Sequence, residues 1–114
     1  MESRAQLRFY RSSPQKVRLV ADTIRGQQVE RALTHLRLST KYAARDMEKL
    51  VRSALANLEN ASPGVDVGRV FVRRVAVDDG PRLKRGRPAS KWVRWHRILK
   101  RMCHITVELE VRDS

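Results

Sequence analysis

The segment from Gly80 to His104 places the strongest constraint on how this chain can fold. It contains nine Lys or Arg residues and no Asp or Glu, and so carries nine of the thirteen net positive charges. Like charges at this density repel one another and oppose packing into a compact domain. We therefore predict either a disordered tail or an arm that becomes ordered against a polyanion. A plain solvated linker is the ordinary alternative for such a charge run.

Two strand patterns flank this segment and favour an arm. The first, at 67–77, is rich in valine and has apolar residues on both predicted faces. One face is predicted to hold Val70, Val72 and Ala76, and the other Phe71, Val75 and Val77. The second pattern, from Ile105 to Val111, alternates apolar and polar residues. If the two strands pair antiparallel, the residues between them form a protruding loop or ribbon, with a turn predicted at Gly86-Arg87-Pro88.

The N-terminal part of the chain predicts a strand and a helix. Apolar and polar residues alternate from Ala5 to Tyr10, which puts Ala5, Leu7 and Phe9 on one face of a half-buried strand. Ser13-Pro14 is typical of a helix start, and Gly26 is typical of a helix end. The apolar stripe of this helix consists of Val17, Val20, Ala21 and Ile24.

Two more helices are predicted from apolar stripes at helical spacing. The stripe of the second helix consists of Val29, Ala32, Leu33 and Leu36. The third helix is predicted to start at a Ser39-Thr40 cap and to end at Ser62-Pro63-Gly64. Its inward positions are predicted to be Ala43, Met47, Leu50, Val51, Ala54 and Leu58. We interpret this stripe as core; a docking face for a partner helix is the alternative.

Composition points to a nucleic-acid partner. A chain of 114 residues has room for one small domain, and we predict a single domain over 1–114. The net charge of +13 and a pI near 11.3 are typical of proteins that bind nucleic acid. Arg outnumbers Lys by nineteen to six, and the guanidinium group binds phosphate bidentately and stacks on bases. In the basic segment Trp92 is interleaved with cations, which predicts base stacking; Trp95 fits the edge of a small core almost as well.

A second group of basic residues surrounds the first predicted helix. Its members are Arg8, Arg11, Lys16, Arg18 and Arg25. The helix N-terminus at Ser13-Pro14 presents backbone amides that can bind a phosphate. An ordinary charged helix surface is the alternative, and the basic arm elsewhere in the chain favours the nucleic-acid interpretation.

The sequence gives little support to an enzyme, a cofactor or a membrane span. His35, His96 and His104 are scattered, and none stands at metal-ligand spacing with another ligand type. The single cysteine, Cys103, excludes an internal disulfide and predicts a small packed side chain in an intracellular protein. Neither a signal peptide nor an apolar stretch long enough to cross a membrane is found. Asp78-Asp79 could bind a cation, but a role at a strand end is favoured.

Four motifs resemble one known family, the ribosomal large-subunit protein L twenty-two in its bacterial and organellar form. They are RSSPQKVRLVADTIRG at Arg11–Gly26, SALANLEN at Ser53–Asn60, VDDGPRLKR at Val77–Arg85 and RILKRMCHITVELEV at Arg97–Val111. The likeness covers nearly the whole chain and keeps the family's order. Where the family has small residues after the hairpin's proline, this chain has the bulkier KWVRWH, and Met102-Cys103 replaces the usual Thr-Ser.

The resemblance implies an α+β fold with three helices packed on a small three-stranded antiparallel sheet and a long basic β-hairpin at 80–104. The hairpin would thread through rRNA, and its tip would line the peptide exit tunnel. The implied tip residues are Gly86, Arg87, Pro88, Ala89 and Ser90. The rRNA contacts expected on the arm are Arg82, Lys84, Arg85, Lys91, Trp92, Arg94, Arg97, Lys100, Arg101 and His104. The N-terminal motif adds Ser13, Pro14, Lys16, Arg18 and Arg25, beside Arg8 and Arg11.

We therefore predict a non-enzymatic structural constituent of the large ribosomal subunit that needs no cofactor. Its expected partners are large-subunit rRNA, neighbouring ribosomal proteins and the nascent peptide. We expect one copy per ribosome, no homo-oligomer and no membrane contact, in the bacterial cytoplasm or in an organelle. Two alternatives remain open on the residues alone. One is an architectural DNA-binding protein with a basic β-arm; the other is a metal-dependent RNA-processing nuclease that uses Asp78-Asp79.

Overall fold

The computed structural model of this protein describes residues 2–81, 83–87 and 96–112, and for 83–87 and 96–100 it describes the backbone alone. These residues form three α-helices, five β-strands and one 3-10 turn. In chain order the elements are β1 (Glu2–Tyr10), α1 (Pro14–Asp22), α2 (Val29–Leu38), α3 (Tyr42–Ala61), the 3-10 turn (Val67–Arg69), β2 (Val70–Asp79), β3 (Leu83–Arg87), β4 (His96–Lys100) and β5 (Cys103–Val111). The predicted α+β class is confirmed.

Strand β5 is the centre of a three-stranded antiparallel sheet with the order β1-β5-β2. The helices pack on one face of this sheet, and their apolar stripes join it in one buried cluster. The inward side chains of β5 are Cys103, Ile105, Val107 and Leu109, all at most 1% exposed. All six inward positions predicted for α3 are buried as well. The interpretation of these stripes as core is therefore confirmed, as is the packed position of Cys103.

An irregularity in the pairing of β2 with β5, between Val72 and Arg74, changes which side chains β2 buries. Val70 and Val72 lie inward before the irregularity, and Val75 and Val77 lie inward after it. The prediction that Val75 and Val77 share a face with Phe71 is therefore wrong. An extra residue at a bulge reverses the alternation of the strand beyond it.

A second irregularity lies near the end of β1, between Leu7 and Tyr10. Phe9 adopts a φ of 57° there, and its side chain is 54% exposed. The prediction that Phe9 faces the core beside Ala5 and Leu7 is wrong, because Tyr10 takes the position opposite Cys103 instead. A bulky residue in the left-handed region costs about 1–3 kcal/mol, so the surrounding contacts must hold it.

Helix α1 ends before the position predicted from Gly26. It begins as expected, with Ser13 as the N-cap, whose Oγ accepts a hydrogen bond from the Lys16 amide at 3.3 Å, and Pro14 in the first turn. It ends at Asp22, and the turn that follows carries the chain to Gly26, which has a φ of 75°. Gly26 therefore serves the connection to α2 and not the helix end itself.

The start of α3 also differs from the prediction. The residue at the N-cap position is Lys41, which makes no side-chain hydrogen bond to the helix. Ser39 belongs to the end of α2, and its Oγ accepts a hydrogen bond from the Lys41 amide at 3.3 Å. The predicted Ser39-Thr40 cap is therefore wrong, and the first turn of α3 lacks a side-chain acceptor from its N-cap residue.

Strands β3 and β4 pair antiparallel in a sheet of their own. The register runs from Leu83 opposite Lys100 to Arg87 opposite His96. Gly86 and Arg87 are therefore strand residues, and the turn predicted at these two positions is wrong. The rest of the connection, 88–95, lies outside the described residues.

The β3-β4 pair continues the hairpin of β2 and β5. The last pair of that hairpin is Asp79 opposite Cys103, and the Gly80 amide then donates a hydrogen bond to the Met102 carbonyl at 2.9 Å. Three residues, 80–82, separate β2 from β3, while two residues, 101–102, separate β4 from β5. The two-stranded connection thus resumes after an irregularity of one residue.

Candidate nucleic-acid interface

The basic residues predicted around α1 divide into two groups in the structure. Arg8, Arg11 and Lys16 are exposed side chains. Arg18 and Arg25 are exposed as well, but their guanidinium groups bind the backbone of β2. Nη2 of Arg18 donates to the carbonyl of Val77 at 3.0 Å. Nε and Nη2 of Arg25 both donate to the carbonyl of Val75, at 3.2 and 2.9 Å, and its Nη1 pairs with Asp22.

These two arginines protect an edge strand. β2 lies at the edge of the three-stranded sheet, so among the described residues no other strand pairs with its outward carbonyls. Near its start, Val72 exchanges hydrogen bonds with Gly26 and Gln27, at 3.0 and 2.8 Å. Farther along, Arg25 and Arg18 bind the next outward carbonyls. An open strand edge invites pairing with another chain, and side chains that cover it prevent this. Arg18 and Arg25 therefore have a structural role, whatever else they bind.

Ser13 and Pro14 fix the residue at which α1 begins. Ser13 is half-buried and caps the helix, and the ring of Pro14 is buried. Pro14 therefore fixes where the helix begins and does not offer its ring to a ligand at the surface. The amides of the first turn remain the part of this motif that can bind an anion.

A pocket of about 490 Å³ lies between the starts of α1 and α3. Its walls are formed by Arg11, Ser12, Ser13, Lys16, Leu19, Lys41 and Tyr42. Three of these side chains are cationic and none is acidic. Three of the predicted binding residues, Arg11, Ser13 and Lys16, thus meet in one recess with residues that the sequence did not single out.

The base of the arm carries an exposed cluster of aromatic and basic side chains. The Phe9 amide donates a hydrogen bond to Nδ1 of His104 at 3.0 Å, and the two rings meet edge to face at 4.9 Å. The guanidinium group of Arg8 lies 5.4 Å from the centre of the Phe9 ring. Arg101 is exposed nearby in sequence. Because Nδ1 of His104 accepts a hydrogen bond, the neutral ring carries its proton on Nε2.

The remaining predicted arm residues are described only in part. For Lys84, Arg85, Gly86, Arg87, Arg97 and Lys100 the structure gives backbone pairing in β3 and β4. Seven further predicted residues lie outside the described part of the chain: Arg82, Pro88, Ala89, Ser90, Lys91, Trp92 and Arg94.

Carboxylates collect on the open face of the sheet, away from the helices. Arg73 pairs with Glu2 at 2.5 Å and lies 3.9 Å from Glu108. Arg74 also lies 3.7 Å from Glu108. Glu110 pairs with Arg112, the residue that follows β5 by one position, at 2.7 Å. Acidic and basic charges offset each other on this face, so the pocket between α1 and α3 and the arm have the stronger claim to a polyanion.

Neither a metal site nor a membrane span is found in the described residues. Within 2–81 and 101–112, where side chains are described, no three His, Cys, Asp or Glu residues stand together as metal ligands. None of the three helices described is long and apolar enough to cross a membrane.

The comparisons with known proteins agree with one another. The family model for ribosomal protein L22p/L17e matches residues 5–110. The chain is also 44% identical to the large ribosomal subunit protein uL22 of Solibacter usitatus (strain Ellin6076), over the full length of both chains. The chain belongs to this ribosomal protein family.

Membership of the L22p/L17e family confirms the resemblance seen in the four motifs. It also confirms the prediction that this chain is a structural constituent of the large ribosomal subunit and not an enzyme, since proteins of this family are structural components. The chain accordingly associates with the large subunit, its rRNA and its proteins. The DNA-binding and nuclease alternatives are thereby set aside.

Within this family fold, four residues near the predicted site were missed from the sequence: Phe9, Leu19, Lys41 and Tyr42. Phe9 was assigned to the core because a bulge is invisible in a simple alternation. Leu19 lies on the polar side of α1 and is 53% exposed, and Tyr42 is 85% exposed. One sequence signal could have identified Lys41 and Tyr42 as binding residues: an aromatic residue follows a lysine at the point where a helix was predicted to begin.

Proposed function

We propose that this chain organises large-subunit rRNA through two surfaces: a basic arm formed by 80–104 and the basic residues around α1. The single observation that carries the proposal is the separate antiparallel pairing of β3 with β4. This pairing falls within a segment of nine cations and no carboxylate. A two-stranded ribbon of this charge is poorly stable alone and gains stability from phosphates.

The proposed rRNA contacts on the arm are those expected from the sequence. They are Arg82, Lys84, Arg85, Lys91, Trp92, Arg94, Arg97, Lys100, Arg101 and His104. Around α1 they are Arg8, Arg11, Ser13, Lys16, Arg18 and Arg25, with Pro14 fixing the helix start. Arg18 and Arg25 each keep guanidinium donors beyond those bound to β2, and their exposed side chains let them bind phosphate as well.

We further propose that the tip of the arm lines the peptide exit tunnel. The tip residues are Gly86, Arg87, Pro88, Ala89 and Ser90, of which the first two belong to β3. The nascent peptide and neighbouring ribosomal proteins are the other partners. The chain acts as one domain, in one copy per ribosome, in the ribosomes of the bacterial cytoplasm; the 44% identical relative reported above is bacterial.

The rRNA proposal is tested by salt-dependent binding. The probe is large-subunit rRNA of Solibacter usitatus, transcribed in vitro. If six to ten phosphates are engaged, affinity falls by about 10³- to 10⁵-fold between 50 and 200 mM salt. A matched DNA duplex is the control for the architectural alternative. A complex that is insensitive to salt, or equal affinity for DNA, overturns the proposal.

The tunnel position needs a separate test. A photo-reactive amino acid replaces Ala89 at the tip, and the same substitution of Lys49, exposed on α3, is the control. Ribosomes that carry each variant are stalled with a labelled nascent peptide and irradiated. Cross-linking of the peptide at 89 but not at 49 supports the tunnel position. Cross-links at 89 to rRNA alone refute it and leave the rRNA proposal standing.

A further inference from the structure

The pocket between α1 and α3 combines the two kinds of group that a nucleotide requires. Arg11, Lys16 and Lys41 supply positive charge, and Leu19 and Tyr42 supply exposed apolar and aromatic surface. Its volume of about 490 Å³ falls within the range of about 300–1,000 Å³ typical of small-ligand sites. One nucleotide fits a recess of this size.

Tyr42 stands at the boundary of two recesses. It lines the pocket with Arg11 and Lys16, and it also lines a second recess of about 670 Å³. The charged walls of that recess are Arg37, Lys41, Arg45 and Glu48. Lys41 lines both recesses too. With 85% of its surface exposed, Tyr42 contributes little to the protein's own core, and its ring is free to stack.

The pocket walls favour an anion throughout. None of the seven residues that form the pocket is acidic. The side chain of Tyr10, whose ring lies toward α3, donates a hydrogen bond to Asp46 at 2.6 Å, so that carboxylate already has a partner. The first turn of α3 also lacks a side-chain acceptor from its N-cap residue. Its amides add to the positive potential that the three cations create.

We propose that this pocket holds one unpaired nucleotide of an RNA strand, with its base stacked on Tyr42 beside Leu19 and its phosphate bound by Arg11, Lys16 and Lys41. The proposal rests on the rRNA-binding function and gives it a second anchor, independent of the arm. The nucleotide must be unpaired, because a base within a duplex has no free face for the ring. Lys41, Tyr42 and Leu19 thereby join the binding residues.

Stacking and phosphate binding leave different signatures, which makes the proposal testable. Loss of stacking lowers affinity by about 5- to 150-fold at every salt concentration. Loss of one phosphate contact lowers the slope of log affinity against log salt by roughly 0.7 to 1. We expect the first signature from Tyr42→Ala and the second from Lys41→Ala. Tyr42→Phe keeps the ring and should bind as the unchanged protein does.

The assay uses the full chain and the Solibacter usitatus rRNA transcript described above, from 50 to 300 mM salt. Leu38→Ala is the apolar control, since Leu38 is 76% exposed on α2. Lys49→Ala is the charge control on α3. Far-ultraviolet circular dichroism and urea titration establish that each variant is folded.

The outcomes separate this inference from the broader function. If the unchanged chain binds rRNA and Tyr42→Ala and Lys41→Ala bind as their controls do, the nucleotide pocket is refuted and the arm remains. If Tyr42→Phe loses as much affinity as Tyr42→Ala, the hydroxyl and not the ring face is responsible, and stacking is refuted. If the unchanged chain does not bind the transcript, the rRNA proposal itself fails.

Discussion

Replacement of Arg25 by lysine separates the structural role of this residue from its charge. In the folded protein Nε and Nη2 of Arg25 both donate to the carbonyl of Val75, at 3.2 and 2.9 Å. A lysine keeps the positive charge but has no planar fork and no donor at the Nε position. Arg25→Lys should therefore destabilise the edge of β2 while leaving the net charge at +13.

The size of the effect follows from the exposure of the group. A hydrogen bond with a charged donor contributes about 1.5–3 kcal/mol when buried. The Arg25 side chain is 44% exposed, so water can replace part of the hydrogen bonding that the substitution removes. The net loss of stability from these hydrogen bonds is therefore about 1 kcal/mol. The pairing with Asp22, which is 59% exposed, adds at most a few tenths of a kcal/mol. The expected loss of unfolding free energy is about 1 kcal/mol.

Urea denaturation measures this loss. With a slope of about 1–2 kcal/mol per M for a chain of this size, the midpoint should fall by about 0.5–1 M. Arg31→Lys, on the exposed surface of α2, is the matched control and should shift the midpoint by much less. The salt dependence of rRNA binding should be the same for Arg25→Lys and the unchanged chain, because the charge is retained. An unaltered urea midpoint for Arg25→Lys would refute the edge-protecting role.

Three further predictions concern the core. Leu58 is fully buried on α3. Leu58→Ala should lower the free energy of unfolding by about 2–5 kcal/mol, because it removes buried methyl groups and leaves a cavity. A loss below about 1 kcal/mol by urea titration would contradict the described packing. Burial raises the pKa of the Cys103 thiol, so native protein should react slowly with a disulfide reagent at pH 8 and fully in urea. The thiol ionises at a lower pH in the unfolded chain than in the folded protein. The free energy of unfolding should therefore also fall as the pH rises above about 9, the ordinary pKa of the thiol. Cys103→Ala should lack this part of the decline.

Much of the fold could be predicted because the helices and β5 follow regular periods. In α3 the 3.6-residue spacing identified every inward position from Ala43 to Leu58, and in β5 simple alternation identified Ile105 and Leu109. In these elements the position of each side chain depends on its own sequence neighbours. Local spacing therefore carries the information.

Apart from the end of α1 and the cap of α3, the errors fall where one strand meets another. The bulges in β1 and β2 reverse the alternation that the sequence alone suggests, so Phe9 turns outward and Val75 inward. Gly86 and Arg87 have the composition of a turn but pair with β4. Whether an extra residue is accommodated depends on the partner strand and the packing above it, and no single strand carries that information.

The candidate site divides in the same way. The sequence by itself determined the chemistry: the net charge of +13, the nine cations of 80–104 and the four motifs that place the chain in its family. Only the tertiary structure decided which of these residues meet. It ties Arg18 and Arg25 to the edge of β2 and joins Arg11 and Lys16 to Lys41 and Tyr42, which come from α3 and its cap. Charge adds along a sequence wherever the residues lie, whereas a pocket exists only when separate elements pack side by side.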